Sequence, residues 1–296
     1  MKTNIFLLLA GFLYFTSCDA QPNMKLYNNT ESALSQSAYY DKAPYDFLNP
    51  QKAYTLPGIL REISGIAIAG ENTLFCIQDE AGTVFKYDTQ NEKISGKLDF
   101  TGSGDFEDIF IKNDFVYVLR SDGMVFYFNH KNFDNQVKQV EVPLNCQDIE
   151  GVCFNKFDNL VYFACKDELI DDNKQKRVIY QASLEKLNQP QIAFTIDLEE
   201  INKMVSEKYP ALEDDKVKFN PSAIAIHPKT RERYVLSSND RFLAIFDDNG
   251  LSNIYPLSKS LFPQPEGLAF TADGDLYISS EGKKKGNGRI LFFSRR

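Results

Sequence analysis

The sequence predicts an all-β fold, a β-propeller of four-stranded blades, most directly five of them, and three observations carry that expectation. First, a short phrase recurs in which an acidic or small polar residue, then a small one, opens an apolar run. It reads Ser64-Gly65-Ile66-Ala67-Ile68, Glu107-Asp108-Ile109-Phe110-Ile111, Glu150-Gly151-Val152-Cys153-Phe154, Ser222-Ala223-Ile224-Ala225-Ile226 and Glu266-Gly267-Leu268-Ala269-Phe270. The steps between copies are 43, 43, 72 and 44 residues, a period that marks an array of similar supersecondary units. Second, each copy is followed by two further apolar β-runs separated by turn residues. Third, the last unit ends at Arg296 after three runs, while a spare run, Lys52-Ala53-Tyr54-Thr55-Leu56, precedes the first. Supplying the missing strand from the N-terminus closes the ring and hides the sheet edges.

The chain begins with a different signal. Lys2 precedes the apolar run Ile5–Leu13, too short to span a bilayer as a mature helix. Phe15-Thr16-Ser17-Cys18 then places small residues directly before a cysteine. Residues 1–18 resemble a bacterial lipoprotein signal in which Cys18 is lipidated; the alternative is an ordinary secretory signal. The expectation is a cell-envelope protein held to a membrane by lipid, with Asp19 not choosing between inner and outer membrane. Residues 19–50 are polar and aperiodic and read as a flexible tether, leaving 51–296 as the propeller domain.

Within the domain, second runs include Leu74-Phe75-Cys76-Ile77, Val116-Tyr117-Val118-Leu119 and Val161-Tyr162-Phe163-Ala164. Third runs include Val84-Phe85-Lys86-Tyr87, Val125-Phe126-Tyr127-Phe128 and Ile290-Leu291-Phe292-Phe293, and Asp122-Gly123 and Asn287-Gly288 supply hairpin turns. Weaker fourth runs fall near Ile94–Leu98, Val137–Val142, Ile192–Ile196 and Ile254–Leu257. The long third step contains an insertion, Leu198–Lys218, with apolar residues at 198, 201, 204 and 205 and Pro210 beyond them. That spacing predicts an amphipathic helix, covering core in preference to acting as a lid. A sixth blade hidden there is the less direct count.

Composition narrows the function. The chain has 43% hydrophobic and 13% aromatic residues, ample for a large core, and a formal net charge of -8. Such an acidic chain does not suit nucleic acid, whose phosphates require a basic surface; a cation suits it better, and a monomer is expected. Beyond Cys18 the cysteines are Cys76, Cys146, Cys153 and Cys165. Cys153 and Cys165 can be placed across one hairpin, but adjacent-strand disulfides are geometrically restrictive, so free thiols are expected. No C-x-x-C pair points to zinc.

In a propeller, residues that open first strands and residues that close second strands gather on one face near the axis. The openers are Ser64, Glu107, Glu150, Ser222 and Glu266, with Asp105, Asp108 and Asp148 beside them. The closers add Asp79, Glu80, Asp122, Asp167, Asn239, Asp240 and Glu281. Crowded carboxylates repel, so some stay protonated, or bases neutralise them, or a cation sits between them. Oxygen-only donors suit Ca²⁺, with Glu107, Glu150 and Glu266 the leading ligands; the alternative is a wet channel whose acids pair with Arg61, Arg120 and Lys166. The two histidines, His130 and His227, read as surface loop residues, and no G-x-S-x-G elbow or H-E-x-x-H motif occurs.

The phrases Glu62-Ile63-Ser64-Gly65, Gly104-Asp105-Phe106-Glu107-Asp108-Ile109, Asp148-Ile149-Glu150-Gly151-Val152 and Pro263-Gln264-Pro265-Glu266-Gly267-Leu268-Ala269 resemble the SdiA-regulated, YjiK-like family over roughly residues 52–294. Asp273-Gly274-Asp275-Leu276-Tyr277-Ile278-Ser279-Ser280-Glu281 fits its last blade. The resemblance implies a bacterial envelope propeller with a calcium site and no established activity. Ser222-Ala223 departs from the expected Ser-Gly, and the insertion before it is long. The functional expectation is a lipid-anchored calcium-binding propeller that holds a ligand or partner at the acidic face. The alternative is a calcium-dependent hydrolase of the propeller esterase, lactonase or phytase type.

Overall fold

The structure, a computed structural model, describes residues 40, 42–134, 136–146, 148–166, 175–212, 216–283 and 286–296. The proposed signal segment with Cys18, most of the proposed tether, and Asp167 lie outside the described residues.

Five antiparallel sheets of four strands form the blades. Blade one is β2 (Ile63–Gly70), β3 (Thr73–Gln78), β4 (Ala81–Asp88) and β5 (Lys93–Ser103). Blade two is β6 (Phe106–Lys112), β7 (Phe115–Arg120), β8 (Met124–Asn129) and β9 (Lys138–Glu141). Blade three is β10 (Ile149–Asn155), β11 (Leu160–Cys165), β12 (Lys176–Ser183) and β13 (Gln191–Asp197). Blade four is β14 (Pro221–Ile226), β15 (Arg233–Ser237), β16 (Phe242–Asp247) and β17 (Gly250–Pro256). Blade five is β18 (Pro265–Phe270), β19 (Leu276–Ser280) and β20 (Arg289–Phe293), and its outer strand is β1 (Lys52–Thr55), paired Ala53 opposite Leu291. The ring therefore closes through the N-terminal strand, as the spare run predicts.

The core is divided into five clusters, one in each gap between neighbouring blades. Side chains alternate along a strand, so successive residues feed the two flanking gaps. On β3, Phe75 packs toward blade two while Cys76 packs toward blade five. This double burial explains why the inner strands read as continuous apolar runs.

The small residue of the recurring phrase faces the next blade. A Cβ on Gly267 would lie 2.5 Å from Ser279 Oγ and 3.1 Å from the Ile66 backbone nitrogen. Blade two carries Asp108 at this position. Its carboxylate accepts from the Ile109 and Val152 backbone N–H groups, both at 2.8 Å, and so ties blade two to blade three. Asp108 is a structural tie and lies outside the acidic cavity.

The insertion forms α1 (Leu198–Lys208), capped by Asp197, whose side chain accepts from the Glu199 N–H. Its apolar face, Leu198, Ile201 and Val205, joins the core between blades three and four. The helix packs on β13 and β17 and covers core, as its spacing predicts. Among the described residues, no helix is long and apolar enough to cross a membrane.

Three expectations need correction. The described part of the tether is packed: Tyr40, Ala43, Tyr45 and Phe47 are buried against blades four and five. Tyr40 donates to the Pro256 carbonyl and Tyr45 to the Gly274 carbonyl. Aromatics are dense enough here to bury a face without any periodicity. Second, the cysteines are not all free: Cys146 and Cys165 form a disulfide, while Cys76 and Cys153 are free. The register sets Cys153 opposite Tyr162 and Cys165 opposite Ile149, so the loop entering β10 brings Cys146 to Cys165 instead. Third, both histidines are buried, His130 at 8% and His227 at 1% exposure. Phe75 lies edge-on to the first, and Tyr234 and Phe270 enclose the second.

Candidate functional site

Every innermost strand is irregular where it begins, and that irregularity builds the site. The register slips across Ser64, Glu107, Glu150, Ser222 and Glu266, each the opening residue of its phrase. A bulge re-aims a side chain that would otherwise lie in a blade gap. Four of these five residues, all but Ser222, line one cavity of about 230 Å³ at the end of the channel where the inner strands start. The Ser222 hydroxyl donates instead to the Leu236 carbonyl at 3.4 Å.

Seven acidic residues line the cavity: Asp79, Asp105, Glu107, Asp148, Glu150, Glu266 and Glu281. Glu107, Asp148 and Glu150 each offer an oxygen, and the three oxygens lie within 4.8 Å of one another. Two of the three sequence-predicted ligands are therefore together. Glu266 lines the same cavity but its carboxylate accepts from Ser238 Oγ at 2.9 Å and Gln264 Nε2 at 3.0 Å. Asp148 takes the third place in the close group. It stands two residues before Glu150, as Asp105 stands before Glu107, a spacing that sends both side chains to one side of extended chain.

Of the bases expected to neutralise these acids, Lys166 alone lines the cavity. Its ammonium donates to Glu150 and lies 3.5 Å from Asp148 Oδ2. Arg61 pairs with Glu62 and Arg120 with Asp122. Asp122 and Asp240 are thus used locally, the latter accepting from the Phe219 N–H at 2.9 Å.

One lysine does not balance seven carboxyls, and the protonation equilibria reflect it. Burial, with the charges of Glu150, Asp105, Asp148 and Glu266, pushes Glu107 up to about 10. Burial and the neighbouring carboxylates also lift Asp79 to about 6 and Glu281 to about 7. Glu266 is raised well above the ordinary range, chiefly by burial, against the bonds from Gln264 and Ser238. Burial opposes the Lys166 charge, yet the Glu150 and Asp148 carboxylates hold that ammonium above the usual lysine range. Two cavity-lining oxygens, Ser64 Oγ and Asp79 Oδ1, are buried with no hydrogen-bond partner among the described residues. An all-oxygen donor set with unsatisfied members fits a hard cation such as Ca²⁺.

A family model described as SdiA-regulated matches residues 45–284. The chain belongs to the SdiA-regulated family. Among solved structures, this SdiA-regulated protein is similar to the glutaminyl cyclase of Myxococcus xanthus. That likeness has 9% identity and a TM-score of 0.53, over 83% of this chain and 95% of that one. At such identity it shows the propeller fold alone. A nidogen/laminin complex aligns with 9% identity and TM-score 0.46, over 74% of this chain and 72% of that one. A streptogramin B lyase aligns with 12% identity and TM-score 0.43, over 82% and 72% respectively. No curated protein sequence matches.

Proposed function

We propose that this SdiA-regulated protein is a lipid-anchored cell-envelope propeller that binds calcium at the acidic end of its channel and holds a ligand or partner there. The observation carrying the calcium reading is the grouping of Glu107, Asp148 and Glu150 oxygens within 4.8 Å, in a cavity with seven acids and one lysine. Burial first, and then the neighbouring carboxylates, raise Glu107; a bound divalent cation would offset both by favouring its charged form. Glu107, Asp148 and Glu150 would hold it, with Ser64 Oγ and Asp79 Oδ1 available as further oxygens. The anchor rests on Cys18 and the residues before it. The Cys146–Cys165 disulfide suits an exported chain, since disulfides persist in oxidising compartments.

Metal analysis and calcium titration of the protein lacking residues 1–18 test the site. Calcium at about 100 times its dissociation constant adds roughly 2.7 kcal/mol of stability. Glu107→Gln, Asp148→Asn and Glu150→Gln each weaken calcium by about tenfold or more, through lost ligand charge. Lys166→Gln removes a competing positive charge and tightens it. No retained calcium, and a melting temperature indifferent to calcium in all variants, would sink the reading. Membrane fractionation of Cys18→Ala against the native protein tests the anchor.

A second reading, a calcium-dependent hydrolase, is favoured by Glu281, whose carboxyl is pushed up to about 7 inside the same cavity. A group poised near neutrality suits general-base work on a water. Turnover of an ester, lactone or phosphoester substrate that Glu281→Gln abolishes, with calcium affinity kept, would select this reading over the binding protein.

A further inference from the structure

The opposite end of the channel is chemically unlike the acidic one. A separate cavity of about 300 Å³ opens there, walled by the second halves of all five inner strands. That volume lies at the lower end of the range for small-molecule pockets. Its wall is made of side chains such as Ile68, Ile111, Phe154, Ala225 and Phe270. The polar side chains in that wall are few. Asn155 is committed, donating to Asp158 Oδ2 at 2.8 Å and accepting from the Phe157 N–H at 3.0 Å. A guest in this cavity gains by burying apolar surface, at about 25 cal/mol per Å², and meets few polar side chains, with the unpaired backbone edges of the inner strands as its other partners.

The rim is basic. Lys156 and Arg231 both lie over the Phe157 ring, at 5.2 and 4.8 Å from its centroid, and Phe157 is 39% exposed. Lys112 lies 4.1 Å over the Phe154 ring, which forms part of the wall. None of these three cations forms an ion pair among the described residues. Three cations outside any ion pair among the described residues, held on aromatic faces at the mouth of a largely apolar hole, are a complementary surface for an anion with an apolar tail.

We infer that this end of the channel is a second binding site, for a small amphiphilic anion: an aliphatic chain in the cavity and a carboxylate among Lys112, Lys156 and Arg231. The aromatic faces hold the cations at the rim and keep their charge outside the apolar wall. This site uses none of the acidic residues and does not depend on calcium.

Calorimetric titration of the mature protein with decanoate, below its micelle concentration and without calcium, tests it. Decanoate binds with one site per chain. Decylammonium, with the same tail and opposite head, binds at least about tenfold more weakly, a difference of roughly 1.4 kcal/mol. Lys156→Glu with Arg231→Glu abolishes that preference, and these exposed positions leave the core intact. Ala225→Leu, which fills the wall, weakens both ligands, whereas Glu150→Gln at the acidic end changes neither. Equal binding of both amphiphiles, binding insensitive to the charge reversal, or no binding of decanoate to the native protein would overturn the proposal.

Discussion

His227 shows how much one side chain can be asked to do in a loop. Its Nδ1 accepts from the Thr230 N–H at 3.0 Å and the Lys229 N–H at 3.2 Å, which shapes the turn after β14. Tyr234 and Phe270 pack on the ring. Burial, with the Arg295 charge behind it, depresses its pKa from 6.5 to about 4. Between those values the unfolded chain binds the proton that the folded one refuses. The contribution of His227 to stability is therefore present above about 6.5 and is lost as pH falls toward 4. His227→Asn keeps an oxygen acceptor for the turn and removes the titration. Denaturant midpoints measured from pH 7 to pH 4 should fall less in the variant than in the native protein. Taking the difference between the two cancels the cavity acids, whose raised values act in the opposite sense in both. Parallel curves would show that His227 is not held neutral.

At the scale of elements, the loop entering β10 joins stability to the site. Cys146 is bonded to Cys165, three residues before Ile149 pairs opposite that same Cys165. Asp148 lies on the closed segment and Lys166 follows its far end. Closing a loop with a sequence separation of 19 is worth about 3 kcal/mol in the chain-entropy account. Cys146→Ser with Cys165→Ser should lower urea stability by about that much and weaken calcium through a less constrained Asp148, with Glu107 and Glu150 unchanged. Stability falling with calcium affinity intact would separate the two roles. The disulfide was not legible because spacing alone does not give register. Cys153 and Cys165 share a hairpin, yet the pairing of β10 with β11 sets Cys153 against Tyr162. The packing of Tyr40, Ala43, Tyr45 and Phe47 was hidden for a related reason: these residues join one cluster with blades distant in sequence, without a repeating face.

The molecule as a whole was largely legible because a propeller repeats its physics. Each inner strand is buried on both sides, four of the five phrases set a small residue against the next blade where blade two uses Asp108, and the missing fourth strand of blade five matches the spare β1. The acidic cavity followed from topology, since openers and closers meet on one face. The bulges that aim Glu107 and Glu150 inward were not readable, because they depend on how each strand pairs. Ring closure yields the remaining prediction. β20 has β19 on one side and only β1, four residues long, on the other. Without β1 its outer edge is bare, and a bare edge both frays and pairs with other chains. A protein begun at residue 57 also loses Tyr40, Tyr45, Phe47, Tyr54 and Leu56 from the core gaps on either side of blade five. It should unfold at lower temperature and associate on standing. A peptide of residues 40–56 added in trans should restore the monomer and much of the lost melting temperature, by strand addition to β20. A peptide carrying Tyr45→Ala and Tyr54→Ala should rescue poorly, because pairing alone does not refill those gaps. A truncated protein that stays monomeric with the native melting temperature would show that four blades and an open fifth suffice, and that β1 is dispensable for the ring.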